Sequence, residues 1–248
     1  MERHEYKVMF ESENTHWWYV GLHELVCGFI DSKIGEKTAP RLLDAGCGTG
    51  RLLERAGVPG AVGLDYSATA LGFCVERKLA RLVRADIGSL PLPDGSFDMV
   101  VSLDVLYHRA VGSDQAALDE FARVLAPGGM LVLNLPAFNF LRSSHDRAIH
   151  TRERYTRAQL KRLLENAGFE IELLSYRNSI LFPLAAVGRL LKKVIGAGGS
   201  APESDIKPVN PLLSSLLTGI LRFENRLLLG KTRLPWGLSV FAVARKAN

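Results

Sequence analysis

The chain has 248 residues, 47% hydrophobic and 23% charged, a balance that suits one large α/β domain with room for an insertion. A net charge of +5 and a pI near 9.2 fall short of the strongly basic balance of a dedicated nucleic-acid binder. Cys27, Cys47 and Cys74 form no metal-ligand or CxxC spacing, and the start Met1-Glu2-Arg3-His4-Glu5 lacks an apolar core, so reduced thiols in a cytoplasm are expected and a signal peptide is not.

Residues 1–38 precede the first strand. Within them Trp17, Trp18 and Tyr19 stand together at a helix start, followed at helical spacing by Leu22, Leu25, Val26 and Phe29. Tandem tryptophans in a polar stretch suit ring edges half exposed to a ligand, and a staple onto the domain is the alternative reading. Next, Leu42-Leu43-Asp44-Ala45 leads into Gly46-Cys47-Gly48-Thr49-Gly50, and Leu52–Ala56 reads as a helix closed by Gly57. A strand that breaks into a glycine turn and restarts as a helix lets a ligand approach backbone that any Cβ would obstruct. A dinucleotide turn would need its third glycine where Arg51 stands, and a Walker loop would need a terminal Gly-Lys-Ser/Thr, which is absent.

An acid before G-x-G-x-G resembles motif I of the class I S-adenosylmethionine-dependent methyltransferases, and the downstream chain extends the resemblance over about residues 41–136. Ala61–Asp65 is a short strand ending in an acid, followed by Tyr66 and by Ser67, which caps a helix to about Lys78. Arg81–Ile87 repeats the pattern and ends in Asp86-Ile87. Leu90–Asp98 looks like the family's turn before a strand at Phe97–Val105, whose end carries Leu103 and leads to His108. A helix at about Asp114–Leu125, the turn Ala126-Pro127-Gly128-Gly129 and the buried strand Met130–Leu135 complete that stretch.

Residues 138–157 form a polar loop, either a solvated connection or a ligand-edge loop; residues 142–162 hold seven Lys/Arg against two acids. Thr156 caps an amphipathic helix ended by Gly168, and Phe169–Tyr176 is a sixth strand. Residues 178–236 exceed a minimal fold: apolar Ile180–Ile195, a linker by composition at Gly196–Pro211, and Leu212–Leu229 with its apolar stripe Leu213, Leu216, Leu217, Ile220, Phe223 and Leu227. Eighteen helical residues would span roughly 27 Å, but the polar face of this helix forbids a bilayer crossing. Leu238–Ala244, apolar on both faces, is an enclosed strand.

Alternating strands and helices give an α/β fold, and the resemblance implies a Rossmann-like seven-stranded methyltransferase sheet, helices on both faces, with the last strand antiparallel between the fifth and sixth. The organisation is an N-terminal helical lid (1–38), a cofactor-binding core (39–177), a helical insertion (178–236) and the last core strand (237–248). The resemblance implies S-adenosylmethionine as cofactor, on Asp44, Ala45, Gly46 and Gly48, with Asp65 and Tyr66 at the ribose and Asp86, Ile87 and Leu103 at the adenine. It also implies a lid role for the His-Trp-Trp segment. Candidate general bases are His108, His145 and His150; candidate acceptor contacts are Trp17, Trp18, Tyr19, Arg152, Arg154 and Tyr155. No acid cluster suggests a metal. The expected acceptor is a small hydrophobic or lipid-like molecule with an anionic group, not nucleic acid, and the insertion is expected to cap the pocket, form a homodimer or touch a membrane surface. Rival functions are a module that binds S-adenosylmethionine without transfer and a nucleic-acid-directed methyltransferase.

Overall fold

The computed structural model describes residues 3–36, 40–194 and 210–247. Seven strands, β1 (Leu42–Ala45), β2 (Val62–Asp65), β3 (Leu82–Arg84), β4 (Phe97–Leu103), β5 (Leu125–Pro136), β6 (Phe169–Arg177) and β7 (Ser239–Lys246), form one sheet in the order β3-β2-β1-β4-β5-β7-β6. The pairs from β3 to β5 are parallel, while β7 runs antiparallel to both β5 and β6. β1 and most of β4 and β7 are buried residue after residue, because helices cover both faces of the sheet.

On one face α5 (Asp114–Val124) and α7 (Arg157–Asn166) set Leu118, Phe121, Leu160 and Leu164 against the strands. On the other lie α2 (Trp17–Glu36), α3 (Arg51–Ala56), α4 (Ala68–Glu76) and α9 (Pro211–Leu229), contributing Leu25, Leu53, Cys74 and Leu228. α1 (Arg3–Ser12) sits against α4, where the Arg77 guanidinium lies 4.3 Å from the Phe10 ring centre. Ser67 caps α4 and Thr156 forms a capping box with Gln159 on α7.

Several boundaries differ from the sequence expectation for identifiable reasons. β4 stops at Leu103 rather than Val105 because Asp104 adopts a left-handed backbone (φ 56°) that no strand can continue. The Pro-Gly-Gly turn is absorbed into β5: Leu125 already pairs with Phe97, and Gly128 (φ 68°) takes up the register shift. The 138–157 loop is ordered by a 3-10 turn (Asn139–Leu141), the short α6 (Ser144–Ala148) and bridges from Ala137 to Tyr155 and His108 to Thr151. The insertion forms α8 (Phe182–Val194) and α9; the linker assigned to 196–211 lies almost wholly outside the described residues.

α9 turns the other way from what its pattern suggests. It buries Thr218, Leu221, Glu224, Asn225 and Leu228, while Leu213, Leu216 and Phe223 of the apolar stripe stay exposed. The cause is α2, which offers glycines at 21 and 28: a Cβ at Gly21 would fall 2.6 Å from Leu221 Cδ1, and one at Gly28 2.9 Å from Leu229 Cδ2. Asn225 Nδ2 donates to the Gly21 carbonyl at 2.8 Å, and Arg222 pairs with Glu24. Close backbone approach and these polar contacts set the docking face. No helix among the described residues is long and apolar enough to cross a membrane.

Candidate active site

The carboxyl ends of β1, β2 and β4 open onto one cavity of about 1020 Å³, walled also by α1, α2, α8 and α9. This is the edge at which open parallel sheets bind ligands. Its floor is the glycine turn. Gly46 has φ 90°, and a Cβ there would sit 2.2 Å from Val105 Cγ2, so the turn and the end of β4 are in contact only because the residue is glycine. Gly50 (φ 81°) starts α3 against Leu79 and Cys74, the packing duty that a dinucleotide turn gives to its last glycine.

Asp65 is held from below. Its Oδ2 accepts from the Gly48 N–H at 2.9 Å and its Oδ1 from the Ser67 N–H at 2.8 Å, which fixes the carboxylate at the cavity wall. Asp86 Oδ1 accepts from Gly88 N–H at 2.8 Å, with the buried Ile87 beside it. Tyr66 and Leu103 also face the cavity; Ala45 is wholly buried and contributes backbone, its carbonyl accepting from Ser102.

Asp44 differs from these. It is 2% exposed, lines the cavity, and no described residue donates to its carboxylate. Burial, then the nearby Asp65 and Glu13, push its pKa up to about 8. Glu13, at the entry to α2, is likewise pushed up to about 7 by burial, against the pull of Thr49 and Arg77. An unpartnered buried acid among other carboxylates invites a cationic ligand. S-adenosylmethionine, which carries a sulfonium and an ammonium, is a cation of the kind that Asp44 and the neighbouring carboxylates suit, and Gly46, Gly48, Asp65, Asp86, Ile87 and Leu103 all line the same cavity.

The other half of the cavity is aromatic and apolar: Trp17, Trp18, Tyr19, Tyr107, Leu181, Leu184, Leu217 and Leu238. Asp104, just past the end of β4, also lines the cavity. Asn134 Nδ2 donates to both its oxygens, at 3.0 and 3.1 Å. Burial pushes its pKa up to about 7 despite Asn134, Arg177 and Arg154. Arg177, at the end of β6, is completely buried with no hydrogen bond to its guanidinium and the Trp18 ring centre 5.3 Å away.

The other expected residues divide sharply. Trp17, Trp18 and Tyr19 line the cavity, and burial raises the Tyr19 phenol so that it stays a neutral donor. His108 also lines it, with Nε2 buried and unpartnered, but burial pushes its pKa down to about 4, which makes it a weak base. His150 is not in the cavity wall; its ring packs edge-on to His108 at 5.9 Å. His145 belongs to α6, and its side chain is outside the described set. Arg152 and Tyr155 lie outside the wall, corrected from acceptor contacts to structural ones: Arg152 bonds Asp114, Leu106 and Val111, while the Tyr155 hydroxyl donates to Asp114 at 2.8 Å. Arg154 reaches the wall, yet its guanidinium is consumed by a buried bidentate pair with Asp146 (2.8 and 3.0 Å). A basic run cannot announce that its arginines are spent internally.

Residues 43–133 match the family model described as a methyltransferase domain. A probable S-adenosylmethionine-dependent methyltransferase of Mycolicibacterium smegmatis is 35% identical over 173 residues, 65% of this chain and 62% of that one. The demethylmenaquinone methyltransferase of Thermus thermophilus is 40% identical over 109 residues, 40% of this chain and 48% of its own. The chain thus spans less than two thirds of these curated relatives. A solved S-adenosylmethionine-dependent methyltransferase from Thermotoga maritima superposes with a TM-score of 0.58 at 19% identity, covering 98% of this chain and 95% of that one. Motif, strand order and these likenesses agree: the chain carries a methyltransferase domain of the class I S-adenosylmethionine-dependent family.

Proposed function

We propose that the chain methylates a small hydrophobic or lipid-like acceptor that gives up a proton to Asp104. The observation that carries this is the two-part cavity, with carboxylates at the glycine turn and rings and leucines beyond Asp104. When bound, S-adenosylmethionine would supply an electrophilic methyl on a positively charged sulfur, with S-adenosylhomocysteine as the product that leaves. Asp65 and Asp44 hold and orient the cofactor end. The Asp104 carboxylate, whose pKa burial lifts to about 7, takes the acceptor's proton and passes it on to solvent. Trp17, Trp18 and Tyr107 exclude water and pack the acceptor's apolar body.

Arg152 and Arg154 are committed to Asp114 and Asp146, so neither is offered as the partner of an anionic group, and the acceptor's apolar body is taken as its defining feature. The same commitment of the basic loop argues for a small molecule over nucleic acid. Similarity to an enzyme named demethylmenaquinone methyltransferase supports the lipid-like reading.

The test is S-adenosylhomocysteine formation from S-adenosylmethionine with fractionated lipid extracts, read by mass spectrometry. Product should depend on an organic-soluble fraction, and Asp104→Asn should lower kcat by about 10²-fold with little change in cofactor affinity. Cofactor binding with no product from any fraction would make the chain a binding module instead.

A further inference from the structure

Among the described residues Arg177 is the largest side chain to be fully buried, and its Nε, Nη1 and Nη2 all lack a hydrogen-bond partner. A guanidinium so placed is costly, yet it stays charged, since burial presses its pKa down only to about 10. Arg177 closes β6, where its backbone pairs with Ser239 of β7, which pairs in turn with Pro136 of β5. The side chain lies against α2, 5.3 Å from the Trp18 ring centre, and a Cβ on Gly21 would stand 3.3 Å from its Nη2. On α9 the buried Glu224 accepts from the Ile180 N–H through Oε1 at 2.7 Å, while its Oε2 has no partner.

Two carboxylates act on this cation through space, Glu224 and Asp104. Asp104 follows Leu103, which pairs with Asn134, two residues before the Pro136 row that carries Arg177. The carboxyl ends of β4, β5 and β6 thus bring both groups to one sheet edge. The other neighbours have little charge to offer. Asn134 is neutral, and burial keeps the phenols of Tyr19 and Tyr107 protonated. His23 of α2, beside Arg177, is also neutral, its pKa pushed down to about 3, chiefly by burial. Of the two arginines that bear on Asp104, Arg154 is bound bidentate to Asp146, and only Arg177 has no carboxylate at hydrogen-bond distance. Fully removed from water, its charge acts at low dielectric.

We propose that Arg177 is a positioning residue for the transfer, the buried counterion that keeps the Asp104 carboxylate able to receive the acceptor's proton. It does so from behind the cavity wall, without lining the cavity itself. Burial alone drives Asp104 toward its neutral acid, which accepts no proton. A cation hydrogen-bonded to the carboxylate would instead hold it ionised too firmly for a base working near neutrality. Arg177 acts across a gap, opposes burial in part, and leaves the carboxyl at about 7. The competing account is purely structural: Arg177 only balances Glu224 where α9 packs on α2 and β6. That account predicts no effect on Asp104. The proposal rests on the reading of Asp104 as proton acceptor, but its test observes the carboxyl directly and needs no acceptor.

The full chain, carrying carbon-13 at its aspartate carboxyls, is titrated by NMR, the Asp104 signal being the one lost in Asp104→Asn. In the parent its midpoint should lie at about 7. R177M and R177Q remove the charge with two different packings, and each should raise the midpoint by about one pH unit, a roughly tenfold smaller ionised fraction at pH 6. R177K keeps a cation and should stay within a few tenths of the parent. E224Q retains an oxygen for the Ile180 N–H and removes the other carboxylate beside Arg177, so its midpoint should hold or fall. Circular dichroism and S-adenosylmethionine affinity should match the parent throughout, which separates lost charge from lost folding. An unmoved midpoint in a folded R177M or R177Q, or an equal rise in R177K or E224Q, would overturn the proposal and leave Arg177 as a structural partner of Glu224. A raised midpoint with no methyl transfer to any lipid fraction would leave the coupling in place and end the reading of Asp104 as the base.

Discussion

Asp44 and Asp65 sit on neighbouring strands, yet their carboxylates are treated in opposite ways. Asp65 is satisfied by two backbone N–H groups and oriented by them, so Asp65→Ala removes a pre-set acceptor without unsettling the turn greatly. The expected loss is about 2–4 kcal/mol of S-adenosylmethionine affinity in a calorimetric titration, with near-native circular dichroism. Asp44 is unsatisfied, and its raised pKa has a stability consequence. Its folded pKa of about 8 lies above the ordinary 3.8, so between those values the folded chain holds a proton that the unfolded chain has released. Stability of the free chain should therefore fall as pH rises from about 4 to about 8. Asp44→Asn should raise the melting temperature by a few degrees at pH 8, with no gain near pH 4, and should weaken cofactor binding. A cation that needs the carboxylate expels the proton, so affinity for S-adenosylmethionine should climb from pH 6 to pH 8, and this slope should flatten in Asp44→Asn. Equal melting temperatures for parent and variant across that range would show that Asp44 is satisfied in some other way.

The elements themselves were largely legible in the sequence, because glycines, caps and apolar runs act locally: the strands around the glycine turn, the Ser67 and Thr156 caps and the enclosed last strand all lie where these signals put them. What the pattern could not carry was partner choice. The apolar stripe of α9 reads as the buried face, but Gly21 and Gly28 on α2, some 200 residues away, admit the mixed face instead. For the same reason Arg152 reads as a ligand contact until Asp114 is seen to occupy it. Asp104 cannot be singled out from sequence, because an acid just beyond a strand is indistinguishable from a turn residue until φ and Asn134 are known. Gly21→Val tests the helix pairing. It should cost about 1–3 kcal/mol in denaturant unfolding through overpacking against Leu221, whereas the same change at Gly188, where a Cβ meets nothing within 4 Å, should cost far less.

Across the whole molecule, a chain of net charge +5 gathers acids in the cavity at the sheet edge. Such a distribution draws a cationic cofactor inward. Strand order, glycine turn and family likeness support S-adenosylmethionine as the cofactor; the apolar acceptor is our proposal, drawn from the rings and leucines of α2, α8 and α9. The most direct measurement of the central claim follows the methyl group itself. The full chain is incubated with methyl-labelled S-adenosylmethionine and a lipid extract, and label is counted in the organic phase. The expected result is label entering that phase in step with S-adenosylhomocysteine, and failing to do so with Asp104→Asn; cofactor bound at the glycine turn while all label remains in the aqueous phase would contradict it.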